Sequence, residues 1–215
     1  MMSGKRWGYV VQFFCLLVFL GMSPFLIKMD GRKTMSVSSD SVRSQNVSDE
    51  VKPVVALTFD DGPNASSTPI LLDGLKERKV RATFFLIGEN VEKDENEKIV
   101  KRMYEEGHLI GNHTYTHCNL SKLETGEAKK ELEQTDTVIE KITGKQPVFV
   151  RAPYGELPVD SEQDLNRIYI GWTVDPLDWM TEDTGAVVKT VVEEINPGDV
   201  ILLHDCYPSS VQAAI

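Results

Sequence analysis

Cysteine is scarce, with three in 215 residues, too few for the disulfide framework of a small secreted domain. Basic residues are outnumbered, 23 Lys and Arg against 33 Asp and Glu, and the net charge of −10 excludes a nucleic-acid binder, which needs a basic face. Histidine is rarer still, at four, so each one that falls in a motif carries weight. A single uncharged run, residues 9–27, is long enough to span a bilayer, which excludes a multi-span membrane protein. Disorder throughout is excluded too, because 41% of the residues are hydrophobic. The length suits one domain of ordinary size with an appendage.

The appendage is N-terminal. Lys5 and Arg6 sit in a basic tail, residues 1–8, ahead of the uncharged run. At 1.5 Å per residue that run reaches roughly 30 Å, the thickness of a bilayer core. Positive charge on its leading side keeps the N-terminus in the cytoplasm and sends the rest outward. The reading is an uncleaved signal anchor over 9–27, with a cleaved signal peptide and secretion as the alternative. Residues 28–50 hold six serines and few large apolar side chains, the composition of a disordered linker. Six basic and four acidic residues precede Val51, so residues 51–215 carry 17 against 29, about −12. The working part is acidic.

From Val54 onward, apolar runs alternate with amphipathic stretches. Strands are expected at Val54–Phe59, Ala82–Ile87, Leu109–Gly111, Val148–Arg151, Ile168–Val174 and Val200–Leu203. Helices are expected at Thr68–Lys79, Glu92–Glu106, Glu124–Ile142 (ended by Gly144) and Gly185–Ile195. Alternation of this kind gives an α/β domain of parallel strands, a barrel or a wound sheet. Both gather their chemistry at the C-terminal ends of strands.

Five polar clusters fall at such ends. Asp60-Asp61-Gly62-Pro63 follows the first strand; alone it also reads as a turn cap. His113 and His117, four apart, would share one face of a helical turn and could grip a cation, or be solvated or core histidines. Asp61 with both histidines would leave a metal open positions for water, as a catalytic site requires. Asp60 beside it could then serve as base. Arg151-Ala152-Pro153-Tyr154-Gly155, Asp175-Pro176-Leu177-Asp178-Trp179 and Leu202-Leu203-His204-Asp205 complete the set. Asp178 could hold the ring of His204, which taken alone is more often a structural histidine.

Together and in this order, the clusters resemble the NodB-homology polysaccharide deacetylases, metal-dependent carbohydrate esterases, over about residues 54–215. The resemblance implies a distorted (β/α) barrel with an open polysaccharide groove. It implies Asp60 as general base, oriented by Arg151, and Asp61, His113 and His117 as ligands of a divalent metal, usually zinc. Tyr154 would offer its backbone N–H to the oxyanion, Asp178 would orient the general acid His204, and Trp179 and Leu202 would line the acetyl pocket. The expected reaction releases acetate from an N-acetylated polysaccharide. With the anchor holding the domain outside the cell, peptidoglycan N-acetylglucosamine is the first choice of substrate. Chitooligosaccharide, another exopolysaccharide and acetyl xylan are the alternatives, and no protein partner is expected.

The sequence also departs from the family pattern. Measured against it, the domain is expected to lack the last helix and strand, with Ser209–Ile215 supplying only the first turns of that helix. The helix between the third and fourth motifs is expected to shrink to a turn around Ser161–Leu165. His108 reads as structural, and Cys118 and Cys206 as partly buried thiols rather than a disulfide. Two other functions remain open: a glycan-binding relative without catalysis, and an amidase for a non-sugar substrate.

Overall fold

The computed structural model describes residues 53–215, apart from 94, 160, 162, 163 and 165. The expected tail, anchor and linker, residues 1–50, lie outside the described residues. Among the described residues no helix is long and apolar enough to cross a membrane.

Six strands form one parallel sheet: β1 Ala56–Gly62, β2 Thr83–Leu86, β3 Leu109–Asn112, β4 Phe149–Val150, β5 Ile168–Tyr169 and β6 Val200–His204, in the order β5-β4-β3-β2-β1-β6. The sheet curls until its two edges are joined by one stretch of chain. Ile168 and Ile170 donate to Val148 and Val150 carbonyls at one edge, and four residues later Val174 bridges Ile201 of β6 at the other. The single strand expected over Ile168–Val174 is therefore two short pairings. The carbonyls between them, of Ile170 and Gly171, turn inward and accept from the Arg151 guanidinium (3.2 and 3.0 Å) instead of from a strand. The result is a curled, distorted β/α half-barrel in which residues 168–174 join the two edges of the sheet.

Strand alternation separates two faces. Leu57, Phe59, Phe84, Leu86, Ile201 and Leu203 face outward into the main core. That core lies against α1 (Thr68–Arg78), α3 (Asn96–Glu105), α5 (Thr184–Glu194) and α6 (Pro208–Ala214), which contribute Leu72, Val100, Val187 and Val211 among others. The Phe59 and Phe84 rings stack at 5.3 Å. A smaller cluster of Leu120, Leu132, Val150 and Ala152 forms under α4 (Thr125–Thr143). Helix α4 begins on a Glu124–Glu127 capping box and ends on left-handed Gly144, the stop that the sequence signals.

The opposite alternation points Thr58, Asp60, Leu202 and His204 inward, since Thr58 pairs with Leu202 and Asp60 with His204. Gly111 is also on this face, and the space is tight: a Cβ there would lie 2.5 Å from the Phe85 ring and 3.1 Å from the Phe149 carbonyl. Gly111→Ala is expected to cost about 1–3 kcal/mol and to lower Tm by about 3–10 °C. Gly126→Ala, in α4 with nothing within 4 Å, should raise Tm slightly. Thermal unfolding of the two variants side by side checks both.

Three local expectations are corrected. Glu92–Glu106 is not one helix: α2 (Gly88–Val91) stops first, and α3 starts at Asn96, whose carboxamide is occupied by the Pro63 and Asn90 carbonyls (3.2 and 2.7 Å). Asp60-Asp61-Gly62 is not a turn but the end of β1. His113–His117 is not a helical turn but a loop after β3, with Thr114 and His117 at φ 65° and 58°. Between the third and fourth motifs, the described residues make turns, with Ser161 N–H on the Pro158 carbonyl at 3.1 Å. His108 is structural as expected. It is buried, accepts the Ala82 N–H at 3.1 Å and meets Phe84 edge-on. Cys118 and Cys206 are free thiols.

Candidate active site

All of the polar strand ends meet at one mouth of the barrel. The adjacent carboxylates reach it together because β1 is irregular there. Phe59 pairs with Phe84 and Gly62 with Leu86, so three steps on β1 match two on β2. The extra residue is a bulge, with Asp61 at φ 70°, and it re-aims a side chain that strict alternation would send to the outer face. Asp60 keeps its inward direction. Two neighbours thereby serve one site with different surroundings.

Asp60 is 3% exposed. Its Oδ1 accepts from Arg151 Nη1 at 2.8 Å, and Oδ2 stands 3.7 Å from His113 Nε2. Arg151, 1% exposed, fills the barrel interior with its guanidinium over the Phe85 ring at 4.2 Å. It also donates to Thr58 Oγ1 at 2.8 Å, and the Thr58 hydroxyl donates onward to the Ile201 carbonyl at 2.5 Å. Burial pulls the guanidinium's pKa down while the Asp60 charge opposes it. A buried cation of this kind needs its anion, so Asp60 and Arg151 hold each other in place.

Asp61 faces the two histidines. Its Oδ1 lies 3.4 Å from His113 Nε2 and 3.2 Å from His117 Nε2, and the imidazole rings are 5.1 Å apart. Burial works against the Asp61 charge, but the two imidazoles hold the carboxyl well below the usual carboxylate range. The tautomer at His113 is set from behind, where Nδ1 sits 2.6 Å from the Arg151 carbonyl. Nδ1 must carry the proton to bond there, so in the neutral ring Nε2, which faces Asp61, is the nitrogen free to bind a metal. At His117 the Tyr154 hydroxyl is 3.4 Å from Nδ1, and the Tyr154 ring meets the imidazole edge-on at 5.0 Å.

Ligand atoms of Asp61, His113 and His117 lie within 4.8 Å of one another, and among the described residues no other His, Cys, Asp and Glu group does this. Asp61 Oδ1 is also buried without a hydrogen-bond partner. A buried carboxylate oxygen without a hydrogen-bond partner beside two imidazole nitrogens is costly for a protein alone. One divalent cation would satisfy all three, so the donor set fits a metal.

Across the mouth, His204 is locked to Asp178. Nδ1 is 2.8 Å from Oδ1, and the His204 backbone N–H donates to Oδ2 at 2.8 Å. Asp178 is 1% exposed. Burial disfavours the imidazolium, but the Asp178 carboxylate outweighs it, with Asp61 and Asp60 assisting, and raises the His204 pKa above its ordinary value. Leu202 is buried on the inner face beside Thr58. Trp179 is in the same 3-10 turn as Asp178, with half of its surface exposed. Tyr154 is exposed and left-handed at φ 62°.

Sequence reading missed several supports. Thr58 looked like an ordinary strand residue; a hydroxyl in a buried run was its only signal. Asp205 was seen only as the tail of its motif. It is fully buried, accepts from the Thr68 hydroxyl at 2.6 Å and fills the space that a Gly62 side chain would need. Burial, with the charges of Asp61 and Asp60, pushes its pKa up to about 7. Asn112 is a fully buried amide immediately before His113, a polar residue ending an apolar strand.

Residues 48–170 match the family described as polysaccharide deacetylase. A peptidoglycan-N-acetylglucosamine deacetylase of Bacillus cereus is 41% identical over 167 residues, covering 76% of this chain and 60% of the relative. A chitooligosaccharide deacetylase of Rhizobium leguminosarum bv. phaseoli is 38% identical, covering 75% of this chain and 72% of the relative. The solved structure of the peptidoglycan deacetylase PdaC from Bacillus subtilis superposes with a TM-score of 0.72 at 40% identity, covering 75% of this chain and 79% of that one. The chain spans 60% of the first of these relatives, and 37% and 33% of two further curated peptidoglycan deacetylases.

Proposed function

The chain belongs to the polysaccharide deacetylase family, and we propose that it hydrolyses N-acetyl groups of an extracellular polysaccharide, with peptidoglycan N-acetylglucosamine as the substrate. One observation carries this reading. A buried carboxylate on an arginine (Asp60–Arg151, 2.8 Å) and a histidine on a carboxylate (His204–Asp178, 2.8 Å) pair in register at the same barrel mouth, beside a three-residue ligand set. A base, an acid and a place for a Lewis acid are what amide hydrolysis needs, and glycan binding alone requires none of them.

A divalent cation on Asp61, His113 and His117, zinc in this reading, would polarise the acetamide carbonyl and make a water acidic at neutral pH. Asp60, held by Arg151, takes the proton of the attacking water. The Tyr154 backbone N–H faces the charge that develops on the carbonyl oxygen. His204, whose pKa the Asp178 carboxylate raises above its ordinary value against burial, delivers its proton to the departing amine, which leaves as the glucosamine amino group while the acyl part leaves as acetate. Leu202 and Trp179 bound the space for the acetyl methyl.

The substrate follows from placement. In the same reading residues 9–27 anchor the chain in the cell membrane with the domain outside, facing the wall. Protease shaving of intact cells tests this: the domain should be cut away while the anchor stays with the membrane. The reaction is tested by acetate release from N-acetylated peptidoglycan and chitooligosaccharides. Chelation should lower the rate by about 10²-fold or more, the scale of a several-kcal/mol effect on the barrier, and zinc should restore it. Release that ignores chelation would overturn the metal-dependent reading. Faster release from chitooligosaccharide than from peptidoglycan would move the substrate to that glycan.

A further inference from the structure

The loop that carries His113 and His117 has no helix or strand of its own, and two of its residues are left-handed. Something outside it must fix the spacing of the two imidazoles. Its carbonyls are held by α2: the Gly88 and Glu89 N–H groups donate to the Thr114 and Tyr115 carbonyls, both at 3.0 Å. Its own donors converge on one oxygen. Glu131 Oε2, in the middle of α4, accepts the Tyr115 N–H at 3.0 Å, the Thr116 N–H at 2.8 Å and the Thr116 hydroxyl at 3.1 Å. Bonds from N–H to an ionised carboxylate are among the stronger hydrogen bonds available to a protein.

The same helix grips the root of the loop. The Asn112 carboxamide donates to the Leu132 carbonyl at 2.8 Å and to Asp136 Oδ1 at 2.6 Å, while its oxygen accepts the Thr114 N–H at 2.8 Å. Tyr115 and Thr116 stand between the two histidines in the chain, so displacing them changes the separation of both Nε2 atoms from Asp61. A metal site is sensitive to such displacement, because ligand groups that relax apart must be drawn together again when the ion binds.

We infer that Glu131 is a positioning residue of the metal centre, setting the distance between the His113 and His117 ligand atoms without itself touching the ion. This rests on the reading of Asp61, His113 and His117 as ligands. It predicts a selective effect on metal affinity. In Glu131→Ala the loop loses three bonds at once, and the zinc dissociation constant should rise 10- to 100-fold, the range found when outer-shell partners are removed. Glu131→Gln, whose carboxamide oxygen can accept the same bonds, should stay within about threefold of the parent. Glu133→Ala is the control on the same helix. Glu133 is exposed and pairs with Lys129 at 3.5 Å, and its loss should leave affinity unchanged.

The experiment is competition between the full chain and a chromogenic zinc chelator, with circular dichroism to confirm that each variant is folded. Affinity unchanged within twofold in a folded Glu131→Ala would overturn the inference. Should that variant fail to fold, Glu131→Asp takes its place. It keeps the charge but withdraws the acceptor by one methylene, and parental affinity in Glu131→Asp would overturn the inference equally. If the parent itself bound no zinc, the ligand assignment would fall and the role of Glu131 with it. A parent that binds zinc beside a variant that binds equally well would remove only the positioning role.

Discussion

Asp60→Asn is expected to reduce turnover by about 10³-fold while zinc stays bound. The substitution preserves shape and removes basicity, and loss of a positioned general base costs on the order of 10²–10⁴ in rate. Asp60 is not one of the three converging ligands, so zinc affinity should change by no more than a few-fold. A structural cost accompanies the catalytic one. Arg151 is 1% exposed, and Asp60 is its ion-pair partner. Leaving a buried charge uncompensated costs about 3–5 kcal/mol. Rate, zinc affinity and Tm must therefore be measured on the same preparation. Low turnover in a folded, zinc-loaded variant fits the assignment, and turnover at the parental level would remove Asp60 from the role of base.

Asp178→Asn should have the next largest effect, about 10²-fold or more on turnover, together with a displaced pH profile. The sign follows from the protonation state that is needed. In the proposed role of acid, His204 works only while protonated, so activity should fall as pH rises through its pKa. Burial lowers that pKa, the Asp178 carboxylate raises it by more, and the net position is above the ordinary imidazole value. Taking away the carboxylate charge removes the largest influence that opposes burial and leaves only the Asp61 and Asp60 charges against it. The basic limb of kcat/KM against pH should then move to lower pH in Asp178→Asn. Both oxygens of the Asp178 carboxylate bond one residue, Oδ1 to the ring and Oδ2 to the backbone N–H of His204. An amide can accept only one of those two bonds, and with its oxygen on the backbone N–H its nitrogen would donate to Nδ1 and hold the ring in the wrong tautomer. An unmoved basic limb would mean that another group supplies the proton.

Much of this site was legible because its residues are chemically unusual where they occur. Two carboxylates at the end of an apolar run, histidines four apart in a chain with four in all, and an arginine ending a buried strand each break the local pattern. Such breaks are expected at functional positions. The alternation of strand and helix gave the layers, since Leu71, Leu72 and Leu75 against Val100 and Met103 repeat at helical spacing and are buried. What was not legible depended on contacts between distant segments. The bulge at Asp61 is fixed by its register against β2 and by Asp205 behind Gly62, more than 140 residues on. Histidines four apart suit a helix, yet the pair is drawn into a loop by α2, and the pattern i, i+4 carries no trace of that pull. The strand expected over Ile168–Val174 failed for a similar reason. Its middle carbonyls serve Arg151, and a side chain from another strand cannot be seen in the local sequence.

That last contact ties the Asp60 carboxylate to the joining of the sheet's two edges. Arg151 directly follows β4, grips Asp60 on β1, and is itself gripped by the carbonyls of Ile170 and Gly171 in the stretch that joins the two edges of the sheet. The guanidinium acts as a keystone. Until the 168–174 stretch is seated, the arginine that pairs with Asp60 lacks two of its partners. A newly made chain that has not finished folding would therefore hold its Asp60–Arg151 pair loosely, gaining a fixed one in the same event that joins the two edges of the sheet.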